Sequence, residues 1–516
     1  MVNEECKTSP IVIVSIASCC LFYGAYCVRS APLSLFLGGL VLLPIVLSTK
    51  KQQWNTLLCC LVFAFFISAL SLLSLYRYKA PVKTLARLSN ISRMVIELAS
   101  EPKPAGSTFV VDAVVKSVVQ DERVSFSATG HISVFFPKAV IEQTLAGGIS
   151  TVKQRSNEHT SRLFVRGAIM EVKIKPVKKG TDNEIERTSE HIDTFFADSS
   201  MPRFIGWTSP VAKVRGHFRF AIMRLLYSWG ACGALLLALV SADKSFLSPD
   251  VYNSFIDCGL AHVLALSGMH ISLVNQASQT LTKWLPSRIL GQAVSLVCMA
   301  LFVWFAGSSP SLNRALGMAF IATIGRLLRL PVNIFNVVSA MFIIHILFLP
   351  HEALTLSFML SYGALVGILV FGEALNTILD GKVPPILASS FSASFGAQAF
   401  TIPIISFTIK RITLVGLISS TIVSPLIGIF LLFGFVGIFS SLAFPTLSPL
   451  FSVLLNYAYN IILGIVRFFE GFFVFGISNG TTALAYSAIS IMLGCACIYC
   501  KKNILNRRNK LAQFTV

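Results

Sequence analysis

Long apolar runs, several of 17 residues or more and almost free of charge, constrain this chain more than any other feature. A run of that length crosses the roughly 30 Å hydrocarbon core of a bilayer as a helix, because a helix satisfies its own backbone hydrogen bonds where no water is present. Only 13% of the residues are charged while 54% are hydrophobic, about half the charged fraction of a soluble domain. Such a chain is a polytopic α-helical membrane protein. A soluble enzyme, a collagen, a disulfide scaffold and a disordered polymer are excluded.

The formal charge of +19 is unevenly placed. Residues 77 to 215 hold 21 of the 42 Lys and Arg and 14 of the 23 acids, a net +7, and read as a water-exposed domain. From 216 to 500 there are 12 basic and 7 acidic residues, the dilution expected of sequence lying in hydrocarbon. All twelve cysteines lie in or beside apolar segments, with none between Cys60 and Cys232, so the water-exposed domain carries no staple. Pairs such as Cys19-Cys20 and Cys59-Cys60 read as small apolar fillers.

Three apolar spans, near 11 to 28, 32 to 48 and 56 to 76, open the chain, too many for a signal peptide. The Lys50-Lys51 pair and the basic tail Lys501, Lys502, Arg507, Arg508 and Lys510 mark the cytoplasmic side. Both termini are then cytoplasmic and the domain after the third span is extracytoplasmic. Ten further apolar segments follow between 230 and 500, some of them re-entrant, so ten to twelve spans are expected. The organisation is 1–76 membrane spans, 77–205 β domain, 206–229 amphipathic helix, 230–500 channel domain and 501–516 basic tail.

Residues 107 to 120, 124 to 136 and 162 to 177 carry the Val, Phe and Ile enrichment and partial alternation of strands, exemplified by Val111, Val114 and Val118 among Asp112, Lys116 and Ser117. A small β-barrel or sandwich is expected, with 178 to 200 a loop. Between 211 and 229, Val211, Val214, Phe218, Ala221, Ile222, Leu225 and Trp229 recur at helical spacing among Lys213, Arg215, His217, Arg219 and Arg224. That pattern predicts a basic helix in the membrane interface.

Four polar islands interrupt the apolar sequence, and polar groups at membrane depth are costly unless paired or hydrated. The first is Gly259-Leu-Ala-His-Val-Leu-Ala-Leu-Ser-Gly-Met-His270, after a helix start at Ser248-Pro249-Asp250. His262, Ser267 and His270 supply its chemistry, and Gly259 and Gly268 permit close helix crossings. Ser267 near His270 admits a nucleophile reading, but Ala265 stands where intramembrane serine proteases have their first glycine. A metal site from His262 and His270 lacks a third ligand. The second island, Gly307 to Met318, breaks one apolar run at Ser308 to Pro310 and brings Ser309, Asn313 and Arg314 into the next. Broken helices expose backbone N–H groups, here with a guanidinium. Ser357 and Ser361 beside Gly363 form the third, and Gln398 with Pro403 interrupting its helix forms the fourth.

Together these stretches resemble the ComEC family, the inner-membrane channels of bacterial natural competence. His262 to His270 resembles the family's His-Leu-Leu-Ala-Ile-Ser-Gly-Leu-His signature, supported by Ser309-Pro310-Ser311 with Arg314, by Leu356-Ser357-Phe358, and by Gln398 with Pro403. The resemblance implies an extracytoplasmic β domain of the oligonucleotide-barrel (OB-like) type and passage of single-stranded DNA into the cytoplasm. It implies as partners an extracytoplasmic DNA receptor, a separate nuclease, and cytoplasmic ATPases or single-strand-binding proteins. Many members continue into a metallo-β-lactamase-like domain bearing a His-x-His-x-Asp-His sequence. This chain has eight histidines and no such run, so a short form without that nuclease is expected.

On this reading His262, Ser267, His270, Ser309, Asn313, Arg314 and Gln398 form the DNA path, with Gly259 and Gly268 at helix crossings. No catalytic residue, metal or cofactor is expected, and no Gly-x-x-x-x-Gly-Lys-[Ser/Thr] phosphate loop is present to drive transport. The alternative from the same residues is a secondary transporter of a small anionic solute, coupled to protons through histidine.

Overall fold

A computed structural model describes residues 9–28, 54–78, 83–84, 91–100, 102–105, 108–120, 124–137, 139–140, 164–175 and 193–514, apart from 245, 308, 331, 410, 414, 471, 473 and 477–479. The predicted span at 32 to 48 lies outside the described residues. The chain divides into two compact units, residues 72–228 and the remainder.

The first unit is a β domain. Its strands are β1 (Lys83–Thr84), β2 (Ile91–Leu98), β3 (Lys103–Ala105), β4 (Thr108–Gln120), β5 (Val124–Pro137), β6 (Ala168–Lys173), β7 (Asp193–Phe196) and β8 (Arg203–Trp207). β2, β4 and β5 form an antiparallel meander, β6 returns to pair with β2, and β7 pairs parallel to β5. An Ile174–Ala197 bridge, with Lys175 N–H donating to Phe196 O at 2.8 Å, joins the ends of β6 and β7. The five strands therefore close as first-second-third-fifth-fourth, with one parallel contact. That is the partly open Greek-key barrel of the oligonucleotide-binding type.

Alternation fills the barrel: Met94, Ile96 and Leu98 from β2, Val111, Ala113 and Val115 from β4, Ile132, Val134 and Phe136 from β5, and Met170 and Val172 from β6. Each large side chain among them contributes about 1.5–3 kcal/mol by leaving water. A bulge between Val115 and Ser117 resets the alternation, so Val111 and Val118 point inward while Val114 does not. The Lys116–Glu97 pair at 2.9 Å lies on the outer face. The expectation of a loop from 178 to 200 is corrected at Asp193–Phe196, which is the parallel strand; residues 178–192 lie outside the described residues.

The amphipathic helix is α3 (Pro210–Ser228), following α1 (Pro10–Val28) and α2 (Trp54–Tyr78) in chain order. A side chain at Gly216 would strike Trp207, so glycine there lets the helix close onto the end of β8. Val211, Val214 and Phe218 are exposed, while Ile222 and Leu226 are buried. An outward apolar stripe with basic neighbours suits a helix lying on a membrane surface.

The second unit is helical: α4 (Ala231–Ser241), α5 (Pro249–Asp257), α6 (Gly268–Leu281), α7 (Arg288–Ala306), α8 (Pro310–Leu327), α9 (Ile334–Phe348), α10 (Pro350–Ala353), α11 (Leu356–Gly367), α12 (Glu373–Leu379), α13 (Pro385–Thr408), α14 (Gly416–Ala443), α15 (Ser448–Phe469) and α16 (Gly480–Phe514). Five described stretches are long and apolar enough to cross a bilayer: Arg288–Ala306, Leu356–Leu379, Gly416–Ala443, Pro445–Phe469 and Gly480–Ile504. Shorter apolar helices include Pro10–Tyr23, Ala231–Ser241 and Ile334–Phe348.

One element, at Pro403, differs from the sequence reading, and two others give it detail. The apolar segment near 230 to 242 is α4, about 17 Å long at 1.5 Å per residue, with every residue from Cys232 to Ser241 buried; it is a core half-helix. Pro403 lies inside α13 without ending it. Ser406 Oγ donates to Pro403 O at 2.9 Å and Thr401 Oγ1 to Ala397 O at 2.8 Å, the kind of local adjustment that lets a membrane helix carry proline. The basic tail continues α16 as helix to Phe514.

Candidate functional site

The signature island is a loop followed by a helix. Ser248 Oγ accepts the Val251 N–H and caps α5, with Pro249 in the first turn. The helix stops at Asp257, and Gly259 takes a left-handed φ of +73°, which costs a residue without a Cβ little. A Cβ there would sit 2.8 Å from Gly416 Cα at the start of α14, so two backbones cross at van der Waals contact. The loop is pinned from three sides. Ser419 Oγ donates to Cys258 O at 2.7 Å, Cys258 Sγ to Val466 O at 2.8 Å, and Ser254 Oγ to Glu470 Oε2 at 3.0 Å.

His262 is exposed within this loop, its Nδ1 3.1 Å from Gly259 O, while Leu260, Val263 and Leu264 are buried beneath it. Gln398 belongs to the same end, since its Nε2 lies 3.4 Å from where a Gly416 Cβ would be.

Ser267 ends the loop and begins α6. Its N–H donates to His270 Nδ1 at 3.2 Å, and its Oγ lies 3.1 Å from the same nitrogen. The Ser–His contact therefore closes a capping box. Since Nδ1 accepts, a neutral ring carries its hydrogen on Nε2. His270 is fully buried, and its Nε2 has no partner among the described residues.

The second island packs onto the first. Ser309 Oγ caps α8 by accepting the Leu312 N–H at 3.3 Å, and Ser311 Oγ donates to Leu266 O. Arg314, one turn into α8, is buried, and its Nη2 lies 3.6 Å from where a Gly268 Cβ would be. Its Nη1 donates to Ser361 O, its guanidinium carbon lies 5.5 Å from the centre of the Tyr362 ring, and its Nε has no partner among the described residues. Asn313 Nδ2 donates to Glu352, 3.3 Å from both carboxylate oxygens.

Glu352 in turn lies 2.8 Å from His345 Nε2, and His345 Nδ1 lies 3.4 Å from the Tyr362 hydroxyl. A circuit runs Asn313, Glu352, His345, Tyr362, Arg314, closing through two neighbours in sequence. Ser267, Gly268, His270, Ser309, Asn313 and Arg314 are thus brought together, and Gly259, His262 and Gln398 gather at the other end of the loop. His345, Glu352 and Tyr362 are absent from the sequence reading. The available signal was Glu352 itself, the first carboxylate after Asp257 and isolated in an apolar stretch. Among the described residues no three His, Cys, Asp or Glu side chains come together as a metal site.

Broken helices meeting over buried polar groups, in a chain that also carries a separate β-barrel unit, define a multi-span membrane protein with an internal polar site. The profile of the family described as "Competence protein" matches residues 239–503, just over half of the chain, and the chain belongs to that family, of the ComEC type. An uncharacterized protein of Aquifex aeolicus (strain VF5) is 28% identical over 52% of this chain and 60% of its own length. The ComE operon protein 3 of Bacillus subtilis (strain 168) is 22% identical over 37% of this chain and 24% of its own length. The chain thus matches less than two thirds of either curated relative. No solved structure gives a significant match.

Proposed function

We propose that this chain conducts single-stranded DNA across the bacterial cytoplasmic membrane into the cytoplasm during natural transformation. The observation that carries this reading is a pair of buried nitrogen atoms where the first two polar islands pack together, Nε2 of His270 and Nε of Arg314, that have no hydrogen-bond partner among the described residues. Buried N–H groups are normally satisfied, so two orphans in these islands suit an acceptor that arrives from outside. A phosphate oxygen is such an acceptor, and neutralising phosphates is the main sequence-independent source of nucleic-acid affinity.

In this reading Ser267, Ser309 and Asn313 complete the donor set around His270 and Arg314. His262 and Gln398 serve the Gly259 end of the path; Gly259 keeps its backbone against Gly416, whereas Gly268, expected at a helix crossing, has room for a Cβ and opens α6 beside Arg314. The barrel, in a segment of net charge +7, meets the strand outside the membrane. The chain performs no covalent chemistry; a receptor, a separate nuclease and cytoplasmic ATPases or single-strand-binding proteins deliver, trim and draw the strand.

One observation favours a second reading, proton-coupled transport of a small anion: a buried imidazole, His345, lies 2.8 Å from the carboxylate of Glu352, and paired histidine and acid side chains inside a membrane unit are the residue types of proton relays. Planar-bilayer recording on the purified chain separates the two. Oligonucleotides of increasing length should give blockades of increasing duration, weakened in Arg314→Ala. Saturable, pH-dependent flux of a small anion with no oligonucleotide block would instead establish the transporter.

A further inference from the structure

α6, α7 and α8 pack on one another, and at the end of the three helices away from Glu352 they enclose a second polar cavity of about 130 Å³. Asn275, Gln279, Gln292, Ser295, Thr323 and Arg326 line it. At roughly 30 Å³ per water, the space takes several waters or one phosphate group. Ser295 Oγ and Gln279 Nε2 both donate to Asn275 Oδ1, at 2.7 and 3.1 Å. The side chains of Gln292, Thr323 and Arg326 make no hydrogen bond or ion pair among the described residues, and Thr323 is buried. A guanidinium, an amide and a hydroxyl thus face one cavity with their donors unspent.

We propose that this cavity binds the phosphate of an anionic phospholipid headgroup. Charge is the first argument. No Asp or Glu occurs between Asp257 and Glu352, while Lys283, Arg288, Arg326 and Arg329 all fall at or beside this end of the three helices. Glu352, the partner of Asn313, is about 20 Å away along α8, thirteen residues at 1.5 Å each. The local field is uncompensated and positive.

The surroundings select a lipid over a free anion. Trp284, between α6 and α7, is 93% exposed, and Leu281, Ile289, Leu327 and Leu330 around the same end are exposed as well. Tryptophan next to Lys and Arg is the composition of the headgroup level, and apolar side chains just below it face acyl chains. Short loops rich in Lys and Arg mark the cytoplasmic side, whose leaflet carries the anionic lipids, and basic pockets between helices there take their headgroups. The phosphate enters between Arg326 and Gln292, with Thr323 donating from the wall and the other three cations at the rim.

Native mass spectrometry of the full chain in detergent, with phosphatidylglycerol, cardiolipin or phosphatidylcholine added, tests this. Phosphatidylglycerol or cardiolipin should stay bound and phosphatidylcholine should not. Arg326→Gln should lower the retained fraction by about tenfold, the loss of one charge-assisted contact. Equal retention of phosphatidylcholine, or no effect of Arg326→Gln, would overturn the proposal. Displacement of the lipid by millimolar inorganic phosphate would assign the cavity to a free oxyanion, and displacement by an oligonucleotide would assign it to the strand; either overturns the lipid assignment. Thermal unfolding of the natural chain gives an answer without a variant. Phosphatidylglycerol should raise its midpoint above that in phosphatidylcholine by mass action, and identical midpoints would refute the site.

Discussion

His345 Nε2 lies 2.8 Å from Glu352 Oε2, with the imidazole wholly buried and the carboxylate nearly so. Asn313 reaches both oxygens of the same carboxylate, and Tyr362 faces the second imidazole nitrogen. A carboxylate inside a membrane unit is held here by two polar side chains, Asn313 from α8 and His345 from α9, with Tyr362 of α11 behind the imidazole. The sharing explains how one acid is tolerated in an otherwise apolar neighbourhood: every charge has a neighbour that answers it.

Breaking one side of this pair leaves the other buried and unanswered. Glu352→Ala should lower the unfolding free energy by roughly 3–5 kcal/mol, the usual loss when one partner of a buried pair is removed. The double variant His345→Phe with Glu352→Ala removes both groups and should lose clearly less than the same two single variants summed. Thermal or denaturant unfolding of the purified chain measures the cycle, and strictly additive losses would show that the two residues do not interact.

The three glycines of the crossing and the signature should rank by geometry. Gly259→Ala meets a positive φ and Gly416 Cα at 2.8 Å, so the left-handed backbone and overpacking together should cost about 2–5 kcal/mol. Gly416→Ala places its Cβ 3.3 Å from Gly259 Cα and should cost less. Gly268→Ala meets nothing nearer than 3.6 Å; at the first position of a helix it should stay within about 0.5 kcal/mol of the natural chain. Unfolding midpoints of the three variants check the order.

What the sequence disclosed and what it withheld follow from range. Ser248 capping a helix, Ser267 opening another, Ser309-Pro310 starting a third and the alternation of β4, β5 and β6 are decisions made within a few residues, and each is visible in a short window. The bulge after Val115 shifts the inward register by one, which composition alone does not reveal. β7 draws its identity from a parallel partner about sixty residues earlier, and its own window is polar enough to read as loop. The Glu352 circuit was hidden for the same reason: Asn313 and Arg314 stood out as polar residues in apolar sequence, but nothing local says that their partners are Glu352 and Tyr362, 39 and 48 positions on.

Arg314→Lys distinguishes charge from shape. The guanidinium donates to Ser361 O and lies over the Tyr362 ring, and an ammonium cannot do both from one planar group. The variant should fold, lose about 1–2 kcal/mol from the weakened hydrogen bond and cation–π contact, and show shorter oligonucleotide blockades than the natural chain. Blockades as long as those of the natural chain would mean that charge alone suffices at this position.

Ser419→Ala tests how the signature loop is held. Ser419 is fully buried, and its hydroxyl answers Cys258 O, the carbonyl just before the left-handed turn at Gly259. An alanine fills nearly the same space but leaves that carbonyl without its donor at a place water does not reach, which should cost about 1–3 kcal/mol. The loss should fall on the loop as well as on the fold, because the turn at Gly259 and the crossing with Gly416 depend on the carbonyl's direction. Hydrogen exchange at Gly259 to Val263 should therefore quicken in Ser419→Ala. It should be unchanged in Ser420→Ala, whose hydroxyl serves Ser394. Equal exchange in the two variants would show that the Ser419 contact does not position the loop.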